Sequence, residues 1–267
     1  MHQFRLMYCG RVVEEMQQFL QVIADPHRWR LVTELAHSDR RVSELTSLVG
    51  GAQNLVSYHV RELRDVGLVS SRRSSFDGRD TYYRLELTRC CELLNAVSVA
   101  LHPGFETRVR PPGAKKRRQG TPKVLFMCTG NSARSQMAEV LLDHLSDHTI
   151  QARSAGSHPK PLHPNAIKVM AERGLDISGQ TSKHLSRFTR TRFDQVITLC
   201  DKVREICPEF PGAPVTAHWS MADPAAAGGT DEETYPVFEQ MAADLEHRIG
   251  FLIARLSTAE GGSANVG

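Results

Sequence analysis

The sequence of 267 residues is poor in aromatic side chains, at 6%, and contains no long apolar run. A membrane-spanning helix needs about 18 or more consecutive apolar residues, so no span is expected. The first residues, MHQFRLMYCGRVVEEMQQ, have no unbroken apolar core, and a secretory signal is therefore not expected. A net charge of +3 is too small to indicate a nucleic-acid partner by itself. Apolar residues make up 40% and charged residues 24%, as in an ordinary globular protein, and without a secretion signal we expect the cytoplasm.

Cysteine is also scarce, with six residues in the whole chain. Without a secretion signal, we interpret them as reduced, working thiols rather than structural disulfides. They divide evenly between the two halves of the chain: Cys9, Cys90 and Cys91 in the first, and Cys128, Cys200 and Cys207 in the second.

A composition shift predicts two domains. Residues 102–122 are rich in proline, glycine and basic side chains and cannot bury enough apolar surface to fold, so we expect a solvated linker. Its basic run, residues 115–118, is also suited to contacting DNA phosphates. The predicted organisation is an N-terminal domain at 1–101, the linker at 102–122, a C-terminal domain at 123–257 and a disordered tail at 258–267.

The N-terminal domain has the pattern of several helices followed by a β-hairpin. Asp25 and Pro26 predict a helix start, because Asp is a good N-cap and Pro suits the first helical position. VSELTSLV predicts a short helix, and AQNLVSYHVRELRDVG a longer one whose apolar side chains face inward. That inward set is Leu55, Val56, Val60, Leu63 and Val66. Asp77-Gly78 predicts a two-residue hairpin turn, and a last helix is expected at about 89–101.

Two short helices and a two-stranded wing form the winged helix-turn-helix pattern, mostly α with a β wing. In such units the second helix, here residues 53–66, enters the major groove. Amide side chains pair with adenine edges and arginine with guanine, whereas wing arginines suit phosphates. The candidate DNA-binding residues are Gln53, Asn54, Ser57, Tyr58, His59 and Arg61 on the helix, and Arg72, Arg73, Arg79 and Arg84 on the wing. The alternative is a solvated polar helix face beside a charged hairpin.

Three segments of this domain resemble the arsenic- and metal-responsive winged-helix repressors. They are IADPHRWRLVTELA, SYHVRELRDVGLVSSRR and DGRDTYYRL, and the resemblance covers about residues 11–101. It implies a homodimer, joined through the first and last helices, on palindromic operator DNA. Many such repressors carry a Cys-Val-Cys inducer site in the short helix, but Val42-Ser43-Glu44 stands here instead.

The remaining thiols of this half are candidates for a different inducer site. Cys90 and Cys91 open the last helix, where the helix N-terminus is expected to lower the thiol pKa, and Cys9 precedes the first helix. If these helices meet in the dimer, the thiols can bind As(III), a soft centre suited to sulfur ligands. The alternative is that Cys9 and one of the pair are small buried residues.

The second half alternates strand and helix, which predicts an α/β domain with a parallel sheet. The strand runs are KVLFM, QARSAG and QVITLC, the helical runs are SQMAEVLLDHLS and PNAIKVMAERG, and a last helix is expected at about 234–256.

The first strand–helix junction, CTGNSARS, predicts an oxyanion site with a cysteine nucleophile. Successive backbone N–H groups and the helix N-terminus would cradle phosphate or arsenate, and Arg134 would bind it in bidentate fashion. The same positive field favours the Cys128 thiolate, to which Ser135 can donate a hydrogen bond. Gly130 is expected to allow the tight turn. The predicted oxyanion-binding residues are Thr129, Gly130, Asn131, Ser132, Ala133 and Arg134.

This loop resembles that of the low-molecular-weight tyrosine phosphatase family, over about residues 123–256. In that family a late Asp-Pro supplies the general acid, which implies this role for Asp223 before Pro224. Ala133 stands where the phosphatases have a second cysteine, and Ala225–Ala227 stand where tyrosines follow their Asp-Pro.

LCDKVREICP with the later HWSMADPA resembles instead the thioredoxin-coupled arsenate reductases. The resemblance implies a relay in which Cys128 attacks arsenate, Cys200 attacks Cys128 and Cys207 attacks Cys200. If 200–207 were a continuous helix, the two thiols would lie ~10 Å apart along its axis. Because a disulfide needs Cα atoms within roughly 7 Å, the segment would have to unwind. The alternative is two buried structural cysteines.

Some members of this family bind potassium beside the loop, and Asn131, Glu139 and Ser154 match positions of that site. Lys183 stands where an aspartate is expected, so its ammonium is a candidate substitute for the ion. His158 and His163 are expected at the surface.

The favoured interpretation is an arsenate reductase fused to an arsenite-responsive repressor, with thioredoxin as reductant and arsenite as inducer. Two alternatives remain open. One is a phosphatase fused to a DNA-binding regulator, and the other is a regulator whose second domain only senses oxyanions.

Overall fold

The computed structural model describes residues 2–102 and 121–258, with the side chains of residues 2–12, 227 and 258 excluded. The chain divides into two compact units, Met1–Val109 and Arg110–Gly267. Nearly all of the predicted linker and tail lie outside the described residues, and so does the basic run at 115–118.

In its described part, residues 2–102, the N-terminal unit contains five helices and a three-stranded antiparallel sheet of order β1-β3-β2. Its elements are α1 (His2–Ile23), α2 (Pro26–Leu35), β1 (Arg40–Arg41), α3 (Val42–Val49), α4 (Gln53–Asp65), β2 (Val69–Arg73), β3 (Thr81–Leu85) and α5 (Leu87–Leu101).

The predicted start of α2 is confirmed. Asp25 caps it by accepting the backbone N–H groups of His27 and Arg28 at 2.9 and 3.0 Å, and Pro26 is its first residue. Its apolar face packs into a core formed by Phe19, Leu31, Leu35, Leu45, Val49, Val56, Val60, Leu63, Leu68 and Leu93. The helix pair α3–α4 is thus held by one continuous apolar cluster.

Two predictions for this unit were wrong. The hairpin is closed by the longer loop 74–80, because β2 and β3 pair only from Val69↔Leu85 to Arg73↔Thr81. The loop is held by the Ser74 N–H donating to the Asp80 carbonyl at 2.9 Å. Leu55, expected inside, is 40% exposed because it lies one position away from the inward row of α4.

The C-terminal unit contains a four-stranded, fully parallel sheet of order β5-β4-β6-β7, as expected for alternating strands and helices. Its elements are β4 (Lys123–Cys128), α6 (Arg134–Leu145), β5 (Gln151–Gly156), α7 (Pro164–Glu172), β6 (Gln195–Thr198), α8 (Asp201–Glu205), β7 (Val215–His218) and α9 (Asp231–Thr258). Short 3₁₀ helices lie at Leu185–Phe188 and Pro224–Ala227. The central strand β4 is buried from Val124 onward and ends at Cys128.

The edge strand β7 was not predicted from the sequence. Only Ala217 and His218 of its four residues are buried, so it has neither an apolar run nor a clear alternation. The last helix also begins earlier than expected. Thr230 and Glu233 form reciprocal hydrogen bonds at its start, a capping box that extends α9 toward the N-terminus.

Within residues 2–102 and 121–258, no helix is both long and apolar enough to cross a lipid bilayer.

Candidate functional site

The loop between β4 and α6 surrounds the sulfur of Cys128. The Cys128 Sγ lies 3.0 Å from the Ser135 Oγ and accepts the backbone N–H of Asn131 at 3.2 Å. All three residues are buried. The predicted contact between Ser135 and the nucleophile is therefore present, and the sulfur lies at the N-terminus of α6.

Four carbonyl groups of this loop accept hydrogen bonds from residues outside it. Those of Thr129, Gly130 and Ser132 accept backbone N–H groups of residues 158, 160 and 163, each at 2.9 Å, and that of Asn131 accepts the Gln136 and Ser182 side chains. With these carbonyls bonded outside the loop, loop N–H groups other than that of Asn131, which donates to Cys128, can serve an anion on the inner side. The segment 157–163 thus braces the predicted oxyanion-binding loop.

The tight turn is made by a different residue from the one predicted. Asn131 adopts the left-handed conformation, with φ of 45°, whereas Gly130 does not. Asn131 tolerates this conformation because its amide donates to the Ser135 Oγ at 2.8 Å and the Ser154 Oγ at 2.9 Å. Gly156 on β5 has a steric role, since a Cβ there would lie 2.6 Å from the Thr129 carbonyl oxygen.

Arg134 is the first residue of α6, and the residue is 4% exposed. One guanidinium nitrogen donates to the Met221 carbonyl at 3.0 Å, and the other lies 3.1 Å from the Asp223 Oδ2. The guanidinium is therefore fixed beside the loop. The role of the Met221 carbonyl was missed because a backbone group leaves no mark in the sequence.

Asp223, the predicted general acid, combines contact with Arg134 and access to solvent. Its side chain is 48% exposed and caps the 3₁₀ helix Pro224–Ala227 by accepting the Ala225 N–H at 3.3 Å. A carboxyl group in this place can give a proton to an oxygen leaving the oxyanion site.

Cys200 lies against the same loop. Its Sγ is 3.2 Å from the Thr129 Oγ1, and the residue is 3% exposed. Burial raises the pKa of the Cys200 thiol, and the hydrogen bond from Thr129 and the charge of Arg134 oppose that rise. The structure thus brings a second thiol to the first residue of the nucleophile loop.

The segment from Cys200 to Cys207 is not one continuous helix. Helix α8 contains only five residues, Asp201–Glu205, so Cys200 is its N-cap and Cys207 lies beyond its end. Cys207 is half-buried, and burial raises the pKa of its thiol. The continuous helix considered for residues 200–207 is therefore not formed, and only the five residues of α8 would have to unwind.

A buried polar network at the start of α8 was missed by the sequence analysis. The Asp201 carboxylate accepts the Ser220 hydroxyl at 2.7 Å and lies 3.1 Å from the His218 Nε2. The other ring nitrogen of His218 lies 2.8 Å from the Thr198 Oγ1. This network anchors the residue that directly follows Cys200 to the ends of β6 and β7.

Lys183 occupies the place where the resemblance implies a potassium ligand. Its Nζ lies 2.8 Å from the Glu139 Oε2, which also accepts the Ser154 hydroxyl. The Lys183 N–H donates to the Asn131 Oδ1 at 2.7 Å. Of the two histidines expected at the surface, His158 is exposed, whereas His163 caps α7 by accepting the Asn165 N–H.

In the N-terminal unit, most predicted DNA-binding side chains of α4 lie on its exposed face. Gln53, Asn54, Ser57, Tyr58 and Arg61 are exposed, and the Arg61 guanidinium lies 5.6 Å from the Tyr58 ring centre. The prediction that His59 points outward was wrong. The residue is 6% exposed because its ring packs toward the start of α2, and this burial lowers the pKa of His59.

The wing arginines differ in exposure and in ion pairing, and so in how readily they could contact DNA phosphates. Arg73 and Arg79 are exposed and Arg72 is half-buried. The Arg79 guanidinium pairs with Asp77 at 3.0 Å, and that of Arg84 pairs with Glu86 at 3.0 Å. Phosphate contact by Arg79 or Arg84 would therefore compete with an ion pair.

The expected activation of Cys90 and Cys91 was wrong. Helix α5 begins at Leu87, so both thiols lie past its first turn, and burial raises both pKa values, that of Cys90 to about 12. The neighbouring Cys91 and Glu86 add to the effect on Cys90. The side chain of Cys9 lies outside the described residues, so convergence of the three thiols stays a prediction.

Comparison with known proteins gives separate matches for the two units. Residues 25–71 match the family model described as bacterial regulatory protein, arsR family. Residues 123–260 match the model described as low molecular weight phosphotyrosine protein phosphatase.

Individual relatives align with the C-terminal unit. An arsenate reductase of Halalkalibacterium halodurans is 40% identical over 126 residues, which are 47% of this chain and 91% of that protein. A glutaredoxin arsenate reductase of Synechocystis is 36% identical over 135 residues, or 51% and 98%. A solved structure described as an arsenate reductase in the oxidised state aligns at 35% identity and a TM-score of 0.45, covering 51% of this chain and 98% of the other. The chain thus belongs to the low molecular weight phosphotyrosine protein phosphatase family and carries in addition an N-terminal helix-turn-helix unit of the arsR type.

Proposed function

We propose that the C-terminal unit reduces arsenate to arsenite through a three-cysteine relay and that the N-terminal unit is an arsenite-responsive transcriptional repressor. Relatives named arsenate reductase, at 40% identity over nearly their whole length, support the first part. The match to the arsR family supports the second.

The first step is attack on arsenic. The Cys128 thiolate, receiving hydrogen bonds from Ser135 and the Asn131 N–H, attacks the As(V) centre held by the loop and Arg134. A sulfur–arsenic bond forms, and one oxygen leaves as water after taking a proton from Asp223. No electrons have yet been transferred to arsenic.

The second step is reduction. The Cys200 thiolate attacks the Cys128 sulfur, and the electron pair of the sulfur–arsenic bond passes to arsenic, which leaves as arsenite. Cys207 then attacks the Cys200 sulfur and releases Cys128, so two thiols have supplied the two electrons. The observation that carries this function is the position of the Cys200 Sγ, 3.2 Å from Thr129 at the nucleophile loop.

The inducer site is proposed at Cys9, Cys90 and Cys91. The raised pKa values of Cys90 and Cys91 do not oppose it, since neutral arsenous acid condenses with three protonated thiols and releases three molecules of water. No net charge has to be buried in that exchange. The product of the C-terminal unit would thus act on the N-terminal unit of the same chain or its dimer partner.

We further propose thioredoxin as the reductant of the Cys200–Cys207 disulfide, and the Lys183 ammonium as the replacement for a potassium ion. The direct Lys183–Glu139 ion pair supports the second point, because it already neutralises the carboxylate that would bind the ion. The name of the Synechocystis relative makes glutaredoxin the reductant to compare.

The deciding experiment follows NADPH oxidation by the full chain with thioredoxin and thioredoxin reductase, with and without arsenate. Arsenate-dependent oxidation is expected, together with release of arsenite. The parallel assay supplies glutaredoxin, glutathione and glutathione reductase. Hydrolysis of an aryl phosphate without arsenate-dependent oxidation in either assay would establish the phosphatase alternative, and neither activity would indicate an oxyanion sensor.

A further inference from the structure

Three side chains of the N-terminal unit, none of them a cysteine, lie close together. Asp25 caps α2, His27 lies in the first turn of α2, and His59 lies in the middle of α4. One potential ligand atom from each lies within 4.8 Å of the others. The cluster therefore joins two helices that are separated in sequence by α3.

Each of the two imidazole rings has a nitrogen near the same carboxylate oxygen. The His27 Nδ1 and the His59 Nδ1 lie 3.8 and 3.9 Å from the Asp25 Oδ1. The rings stack with their planes 7° apart and their centroids at 5.0 Å. These separations are too long for hydrogen bonds, so the rings converge on the carboxylate without bonding to it.

The buried ring nitrogen of His59 is unsatisfied. The residue is 6% exposed, and its Nδ1 has no hydrogen-bond partner. Leaving a buried polar atom unpaired costs about 1–3 kcal/mol, so such atoms normally have a partner. An atom bound between Asp25, His27 and His59 would supply it.

We propose that Asp25, His27 and His59 bind a divalent transition-metal ion of the zinc class. Two imidazole nitrogens and one carboxylate are a donor set suited to Zn²⁺ or Co²⁺, with the fourth position left for water. Ligand atoms sharing such an ion lie about 3.4 Å apart at bond lengths of ~2.0–2.2 Å. Because each imidazole lone pair lies in its ring plane and the two rings are stacked, one ring would rotate for both nitrogens to bind the same ion.

The surrounding charges permit this binding. Arg28 is the nearby cation, but its guanidinium is directed at the Val22 and Gln21 carbonyls at the end of α1. Glu62, on the same helix as His59, adds a second negative charge near the ring. Ion binding here requires neither arsenate turnover nor operator binding.

The test is a titration of the full, reduced, metal-free chain with Co²⁺, compared with its His27→Gln and Asp25→Asn variants. All three proteins keep the same cysteines, so thiol sites contribute equally. The wild type should bind one more equivalent than either variant, and that equivalent should show visible d–d bands without a thiolate charge-transfer band. Asn is as good an N-cap as Asp, so Asp25→Asn should retain α2.

The matched control is His37→Gln, an exposed histidine just after the same helix. It should bind Co²⁺ as the wild type does, and thermal melting should show all four proteins folded. Equal stoichiometry in the wild type and both variants would overturn the site, as would finding that every bound Co²⁺ has thiolate ligands.

Discussion

Arg134 is held in place by two groups that lie nearly ninety positions later in the chain. The Met221 carbonyl and the Asp223 carboxylate occupy different nitrogens of its guanidinium, at 3.0 and 3.1 Å. A planar fork can satisfy both and still face an oxyanion, whereas an ammonium offers donors without that fixed geometry.

We expect Arg134→Lys to lower kcat/KM for arsenate by about 100-fold, the effect of losing one well-placed oxyanion donor. Arg153→Lys, an exposed change on β5, is the control and should leave the rate unchanged. Steady-state kinetics measure both. A wild-type rate for Arg134→Lys would contradict the proposed arginine–oxyanion contact.

Thr129 offsets part of the rise that burial causes in the pKa of Cys200. Burial raises the pKa of Cys200, and the Thr129 hydrogen bond favours the thiolate. Thr129→Val should therefore raise that pKa further, so less thiolate is present at a given pH. In the pH–rate profile for arsenite release, the limb that reports formation of the Cys200 thiolate should shift to higher pH. The control is Thr149→Val, an exposed change after α6, which should leave this limb where it is. An unmoved profile would remove Thr129 from this role.

Among the elements, α8 is the one that the proposed relay has to rearrange. It is five residues long, and its backbone bonds end with Ile206 and Cys207 donating to Val203 and Arg204 at 3.3 and 3.4 Å. Its start, in contrast, is anchored through Asp201 to His218 and Ser220. We therefore expect the Cys207 end to move toward Cys200 rather than the reverse.

Cys207→Ser should stop the relay after its second step. One arsenate is then reduced per chain, and peptide mass spectrometry after a single turnover should find a Cys128–Cys200 disulfide. Cys91→Ser, in the other unit, should turn over repeatedly under the same conditions. If arsenite is formed but no Cys128–Cys200 disulfide is found, the proposed order in which the thiols react is contradicted.

The Lys183–Glu139 ion pair joins three segments. Glu139 lies on α6 and also accepts the hydroxyl of Ser154 on β5, and Lys183 lies just before the 3₁₀ helix Leu185–Phe188. The Lys183 ammonium, paired with Glu139, links them, and we propose that it does so in place of a potassium ion. Lys183→Asp should make activity and melting temperature depend on potassium, measured in KCl against tetramethylammonium chloride. The wild type and Lys168→Asp, a change on α7, should not respond. Potassium activation of the wild type would contradict the substitution of ion by lysine.

Considered as one molecule, the chain carries a proposed arsenite producer and a proposed arsenite sensor. Its six cysteines divide equally between the two units. The separation means that substitutions in one set of thiols can leave the other set intact, which allows the two activities to be tested in the same polypeptide.

Duplex DNA selected by the protein from a random pool provides the probe for the sensor. Arsenite should release the wild type from it but not the variant with Cys9, Cys90 and Cys91 all changed to Ser. The Cys200→Ser, Cys207→Ser double variant should be released like the wild type. Undiminished release of the triple variant would place the inducer elsewhere.

Much of the fold could be predicted from local sequence patterns. Three features depend on interactions between residues close together in sequence. They are the Asp25–Pro26 cap, the spacing of Cys128, Arg134 and Ser135, and the alternation of strands with helices. Such patterns depend on backbone geometry that each short segment carries with it.

The tertiary structure brings together side chains that are far apart in sequence, and no local sequence pattern indicates these contacts. His59 lies inward near Asp25, burial raises the pKa of Cys90 to about 12, and the Thr129 Oγ1 lies 3.2 Å from the Cys200 Sγ, 71 positions along the sequence. Burial and hydrogen-bond partners belong to the packed arrangement of distant elements, and they govern whether a thiol or an imidazole is charged. Residue types and spacings therefore identified the chemistry available to this chain, and long-range packing determined which side chains are in position to carry it out.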